Sequence, residues 1–239
     1  MSDLEQYLST HYLNAGQCAQ ACGLSVDAFD VLVQAQLAPA PAYVVTPGGM
    51  LVSHVFGAMP APGATPGRYF HPSQRTWIAA ARHALAQNGP QGAQTALREQ
   101  FIVRLQTALA ALDRSSWRLR DSFNDDGTPI AAGLAQRGSQ AWECFLHGTF
   151  GLCVADPASE AAIARKEVLQ EQLTALSENG SIAAFTPALA ARLGTLIDDY
   201  AAAAMPFSPV EFHRSSRKRL VDDLRARLNG AAPAPRTGR

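Results

Sequence analysis

The stretch WECFLHGTFGLCVADPASEAAIARKE, residues 142–167, sets the fold class. Trp142 and Phe145 lie on a segment that reads as a helix closed by Gly148. A second helix is expected to start near Asp156-Pro157, because proline fits the first turn of a helix and glycine the position just past its end. Alanine-rich helical patterns flank the stretch on both sides. The chain is therefore expected to be mainly α, with a multi-helix bundle domain over residues 68–228.

Upstream, Leu97, Phe101, Leu105, Leu109 and Leu112 recur at steps of four, four, four and three, which makes one buried helical stripe. Before it, Trp77, Ile78, Ala81 and Leu85 form a helix opened near Pro72 and closed by Asn88-Gly89-Pro90. Thr128-Pro129, Thr186-Pro187 and Ser208-Pro209 repeat the cap-then-proline signal and are read as further helix starts, the last with Glu211 completing a capping box. The final helix buries Leu220, Val221, Leu224 and Leu228.

Residues 1–56 read as a small helix-turn-helix-like module with a short hairpin. Leu4, Tyr7 and Leu8 mark a first helix, Asn14 and Gln17 form a capping box, and Ser25 caps a helix with Val26, Phe29, Leu32, Val33 and Leu37 on one face. Tyr43–Val45 and Met50–Val52 flank Thr46-Pro47-Gly48-Gly49 as a hairpin. Residues 57–67, GAMPAPGATPG, read as a Pro/Gly linker, and residues 229–239 as a disordered tail.

Composition excludes several classes. No apolar run approaches the roughly 18 residues of a membrane span, and the first residues lack a basic segment followed by an apolar one, so a cytoplasmic protein is expected. Cys18, Cys22, Cys144 and Cys153 lack the spacing of a zinc or redox motif and read as buried thiols. Net charge is zero overall, yet residues 1–67 hold Asp3, Glu5, Asp27 and Asp30 and no Lys or Arg. No phosphate-binding glycine loop, nucleophile elbow or His-Glu-x-x-His occurs, and no cofactor, metal signature, reaction or oligomeric state is read from the residues.

Six residues are candidates for a ligand site. Glu143 and His147 share a helix face at a spacing of four, suiting an acid that orients a histidine. On a wheel of about 100° per residue, Lys166 falls inside the apolar arc of Ile163, Leu169, Leu173 and Leu176, with Glu167 at its edge, so its ammonium must snorkel out or find a partner. The stripe of the last helix, extended backwards, reaches Arg217 and His213. The cations Arg214, Lys218 and Arg219 read instead as a solvated face balanced by Asp222 and Asp223. Glu143, His147, Lys166, Glu167, His213 and Arg217 would then bind a small anionic metabolite at one end of the bundle. A partner protein is the other reading, with the six residues as interhelical ion pairs.

Two resemblances follow from these motifs. The order Cys18-Ala19, Cys22-Gly23-Leu24-Ser25, then Leu37-Ala38-Pro39 resembles the MerR-type regulators, which implies DNA binding. The missing cations and the acids Asp27 and Asp30 argue against nucleic acid as a partner, because phosphate contacts need Lys or Arg. Over most of its length the chain also resembles an uncharacterised bacterial family labelled as natural-product biosynthesis proteins. The likeness rests on Pro41-Ala-Tyr43, Tyr69-Phe70, Trp77, Trp142-Glu143, Gly148 through Cys153, Ile163 with Lys166-Glu167, Pro206-Phe207-Ser-Pro209 and Arg214 to Arg217. It implies a context in small-molecule biosynthesis and no activity; an accessory or tailoring component that binds an anionic metabolite or carrier-linked intermediate is expected from the polar residues at the ends of the apolar stripes.

Overall fold

Four aromatic rings set the centre of the helical part. Trp77 and Phe101 come from α4 (Gln74–Ser115), and Trp142 and Phe145 from α5 (Ala131–Leu146). Phe145 lies 4.7 Å from Trp77, 5.0 Å from Phe101 and 5.1 Å from Trp142 between ring centroids. In one straight helix Trp77 and Phe101 would stand about 36 Å apart at 1.5 Å per residue. They lie 6.2 Å apart because Gly89 leaves helical geometry at φ 66° and ψ 175°, followed by Pro90, which has no N–H to give. The computed structural model in which these contacts are seen describes residues 2–182 and 184–231.

The chain is mostly helical, as its periodicity implies, but it also holds a five-stranded antiparallel sheet. After α1 (Asp3–His11), β1 (Leu13–Asn14), α2 (Ala15–Ala21) and α3 (Val26–Gln34) come β2 (Tyr43–Val45), β3 (Met50–Ser53), β4 (Gly57–Pro60) and β5 (Gly67–Phe70), in the order β1-β5-β2-β3-β4. Asn14 and Gln17 form their capping box at 2.9 Å in both directions, and Ser25 caps α3. The hairpin pairs Val45 with Leu51, but it is the middle of a larger sheet. The 57–67 stretch, expected as a linker, supplies strand β4 and runs into β5. Pro60 is accommodated because β4 is an edge strand.

Of the four cap-proline pairs, Thr186-Pro187 opens its helix, α8 (Pro187–Ala203), as read. Thr128 instead closes a turn with Asn124 and Asp126, and α5 begins at Ala131. After Asp156-Pro157 the helix waits for Ser159, which caps α7 (Glu160–Leu176). Ser208 and Glu211 open no long helix: Ser215 caps the following turn by accepting from the Lys218 N–H, ahead of a wide π-helical turn over Lys218–Asp223 and then α9 (Leu224–Ala231). The tail expected from Asn229 is helical to Ala231, and its remainder lies outside the described residues.

One apolar cluster runs from Leu4 through the sheet, α4 and α5 to Val168. A second joins Leu169 and Leu173 to Leu193, Ile197, Tyr200, Leu220 and Leu224. The two clusters divide along α7, and the Pro/Gly stretch lies within the reach of the first. Polar contacts seal the sheet onto the helices: the Ala40 N–H donates to Leu146 at 2.9 Å, Gln74 Nε2 to the Pro39 carbonyl at 2.8 Å and Tyr12 Oη to the Gly151 carbonyl at 3.1 Å. Gly148, at φ 72° before the short helix α6 (Thr149–Cys153), makes the approach possible, since a Cβ there would sit 2.4 Å from the Ala40 carbonyl oxygen. Gly148→Ala is therefore expected to destabilise the protein by about 2–3 kcal/mol. Gly194→Ala, inside α8 with no heavy atom within 4 Å of the added carbon, is expected to stabilise by about 0.5–1 kcal/mol. Denaturant unfolding of both variants checks the opposite signs.

Candidate functional site

The structure brings together some of the six candidate residues and separates others. Lys166 is 3% exposed and does not snorkel; its Nζ donates to Glu167 Oε1 at 2.9 Å and to Gln170 Oε1 at 2.7 Å, and lies 5.9 Å from the Tyr200 ring. Burial works against its charge, but Cys153, Glu167 and Tyr200 outweigh that and hold its pKa above the ordinary lysine range. Tyr200 Oη extends the network to Gln170 Oε1 and to Ser216 Oγ at 2.7 Å. Next to Ser216, Arg217 points elsewhere: its Nη1 donates to the carbonyls of Ala201 and Ala204 at 2.8 and 2.9 Å, closing the C-terminal end of α8. Glu143 and His147 are exposed, and His147 stacks on His54 at 4.0 Å with the rings 10° from parallel. His213 is exposed on a short 3-10 turn. Lys218 pairs with Asp223 at 2.6 Å, in keeping with a solvated charged face.

A different set of residues lines an open concavity. An open groove of about 760 Å³ runs between α1, the end of α2, the start of α4 and the link after α6. Its polar lining includes His11, Cys22, His71, Arg75, Arg82 and Asp156, and none of the six sequence candidates borders it. Arg75 and Arg82 lie two helical turns apart on one face of α4, so both guanidinium groups address the same channel. His71 sits on the turn before α4. Its Nδ1 accepts from the Ser73 N–H at 3.1 Å, with Ser73 Oγ at 2.9 Å, so the neutral ring carries its proton on Nε2. Burial pushes the His71 pKa below its ordinary 6.5; the Ala155 carbonyl and Asp156 work the other way and His11 adds to the fall. Burial also lowers His11 and raises Cys22, whose neighbours Arg75 and Arg82 pull partly against that rise.

Behind the groove lies a buried tyrosine cluster. Tyr12 packs edge-on to His71 at 6.2 Å and to Tyr43 at 5.2 Å, and its hydroxyl meets that of Tyr7 at 3.3 Å. Since Tyr12 donates to Gly151, Tyr7 is the donor in the pair. Burial raises all three phenols, Tyr7 to about 12, so they are neutral at physiological pH. Beyond them Glu211, 0% exposed, accepts from Ser53 Oγ at 2.7 Å and Ser208 Oγ at 2.9 Å. Among the described residues, no group of three or more His, Cys, Asp and Glu is placed to hold a metal ion, and no helix is long and apolar enough to cross a membrane.

The groove residues escape a reading of the sequence because they come from separate segments, among them 10–11, 21–22, 71–82 and 155–158. Arg75 and Arg82 at a spacing of seven was the one local signal available. The model of a family of unknown function, DUF6058, matches residues 97–229, more than half of the chain, and the chain belongs to that family. No curated protein and no solved structure matches it.

The lowered His71 pKa has a sign. As pH falls through about 6.5 the unfolded chain takes up the imidazole proton first, so His71 reduces stability until its lower folded value is passed. His71→Asn keeps an acceptor for the Ser73 N–H and removes the titration. Thermal unfolding between about pH 8 and pH 5 is expected to show a smaller acid loss in the variant than in the parent; parallel curves would contradict the assignment.

Proposed function

We propose that the protein binds a small anionic metabolite, a carboxylate free or carrier-linked, in the groove between α1 and α4. The observation that carries this reading is the convergence of Arg75, Arg82, His11 and His71 on one concave surface with Asp156 as the opposing acid. With both histidines held neutral by burial, the two guanidinium groups leave an excess of one positive charge. Guanidinium forks match carboxylate oxygens, and the Thr76 hydroxyl offers a further hydrogen bond. The groove's thiol, Cys22, is kept protonated by burial, so the lining favours binding over nucleophilic chemistry. The likeness to natural-product biosynthesis proteins supports an accessory or tailoring role for such a binder.

The six residues chosen from the sequence support a second reading, a scaffold or interaction module. In it Lys166, Glu167 and Arg217 serve internal bonds, while Glu143, His147 and His213 form outer surface. Regulation through a helix-turn-helix-like 1–56 module is the weakest reading. The helix that would enter a groove of DNA exposes Asp27 and pairs Asp30 with Arg68 at 2.8 Å. A thermal-shift panel of mono- and dicarboxylates and phosphopantetheine tests the main reading. At least one carboxylate is expected to raise the melting temperature of the parent, and the Arg75→Ala/Arg82→Ala variant is expected to lose that rise. A rise that survives in the folded variant, or none at all, refutes it.

A further inference from the structure

A second cleft, of about 650 Å³, lies entirely within the family segment. It is built from the end of α4 (Asp113, Arg114, Ser115), the loop 116–121, Arg137 of α5, Glu171 of α7 and Arg192 of α8. Five of its residues are arginines: Arg114, Arg118, Arg120, Arg137 and Arg192. Against them stand Asp113, Asp121 and Glu171, and each of these acids is already engaged. Asp113, 3% exposed, accepts from the Leu119 N–H at 2.6 Å and faces Arg118 Nη1 at 3.1 Å. Asp121 takes both arms of an Arg137 fork at 2.8 and 2.9 Å. Glu171 meets Arg137 Nη2 at 2.8 Å and Trp117 Nε1 at 3.2 Å.

That pairing builds the wall and leaves charge over. Among the described residues, Arg114, Arg120 and Arg192 form no ion pair with an acid. Five arginines against three acids give the cleft an excess of two positive charges. Like charges gather on one concave surface at a cost in repulsion that a bound anion relieves. Independently of the carboxylate groove, we propose that this cleft is a binding site for a doubly charged phosphate group, a phosphomonoester or pyrophosphate of a small metabolite. Arg114, Arg120 and Arg192 contact the oxygens, and the ion-paired Arg118 and Arg137 hold the walls. A dianion matches the charge excess, and guanidinium forks match the tetrahedral oxygens. The interleaved acids and the concave shape favour a small ligand over a nucleic-acid strand, which needs an extended cationic track.

Titration calorimetry of the full chain with inorganic pyrophosphate tests the proposal, with sodium chloride at matched ionic strength as control. Saturable binding is expected in the parent, with Kd raised at least tenfold in Arg192→Ala and in Arg114→Gln and unchanged in Arg75→Ala/Arg82→Ala. Should Arg192→Ala fail to fold, Arg192→Lys, which keeps the charge and loses the fork, is expected to weaken binding by a smaller factor. No saturable binding in the parent overturns the proposal. So does pyrophosphate binding that is lost only with Arg75 and Arg82, or a folded Arg192→Ala and Arg114→Gln that bind like the parent. Tighter, Arg192-dependent binding of a single-stranded oligonucleotide would also overturn it, in favour of a nucleic-acid surface.

Discussion

The backbone at 39–42 runs so close to the turn at 146–151 that no side chain fits between them. Gly148 is the residue at the point of contact, where an added carbon would lie 2.4 Å from the Ala40 oxygen and 2.9 Å from that of Pro41. With that spacing kept, the Ala40 amide reaches Leu146 and Gln74 reaches Pro39, so the Ala40 N–H and the Leu146 and Pro39 carbonyls have partners. Tyr12, Tyr43 and Phe70 can then share one apolar cluster with Trp77, Phe101 and Phe145. The open groove lies along the same join, its walls taken from α1 and α2 on one side and α4 on the other.

Two buried charges mark where the packing is most exacting. Glu211 lies fully buried between a serine of β3 and one of the C-terminal segment, each hydroxyl donating to a different carboxylate oxygen. Removing a carboxylate from water carries a penalty of several kcal/mol that such hydrogen bonds must offset, so they tie residues far apart in sequence into one arrangement. Lys166 does the same where the two apolar clusters meet on α7, between Ile163 and Val168 of one and Leu169 of the other. Its hydrogen bonds to Glu167 and Gln170, and through Tyr200 to Ser216, join α7, α8 and the last helical segment.

Much of this was legible from residue spacing. The stripe from Leu97 to Leu109, the caps at Asn14 and Ser25, the helix start at Thr186-Pro187 and the presence of Lys166 in an apolar arc are local properties that period and cap chemistry report directly. Strand β4 was hidden because Gly57-Ala-Met-Pro60 has the composition of a linker and owes its conformation to pairing with β3. Glu211 looked like the third residue of a capping box, and its serine partner at 53 could not be found without the fold. The candidate site failed to assemble for a related reason. A helical wheel fixes which way Arg217 faces on its own helix, but its hydrogen-bond acceptors, the carbonyls at the end of α8, come from the tertiary packing.

The central claim is that the sheet and the helices form one cooperative structure, held by the close approach at Gly148 and the polar contacts around it. Native-state hydrogen exchange through a series of low denaturant concentrations measures this most directly, by comparing amides of β2 and β3 with those of α5 and α7. The account predicts that the most protected amides of both regions merge into the same global opening, with one free energy and one denaturant dependence. Strand amides that exchange through a separate, less costly opening, while α5 and α7 stay protected, would contradict it.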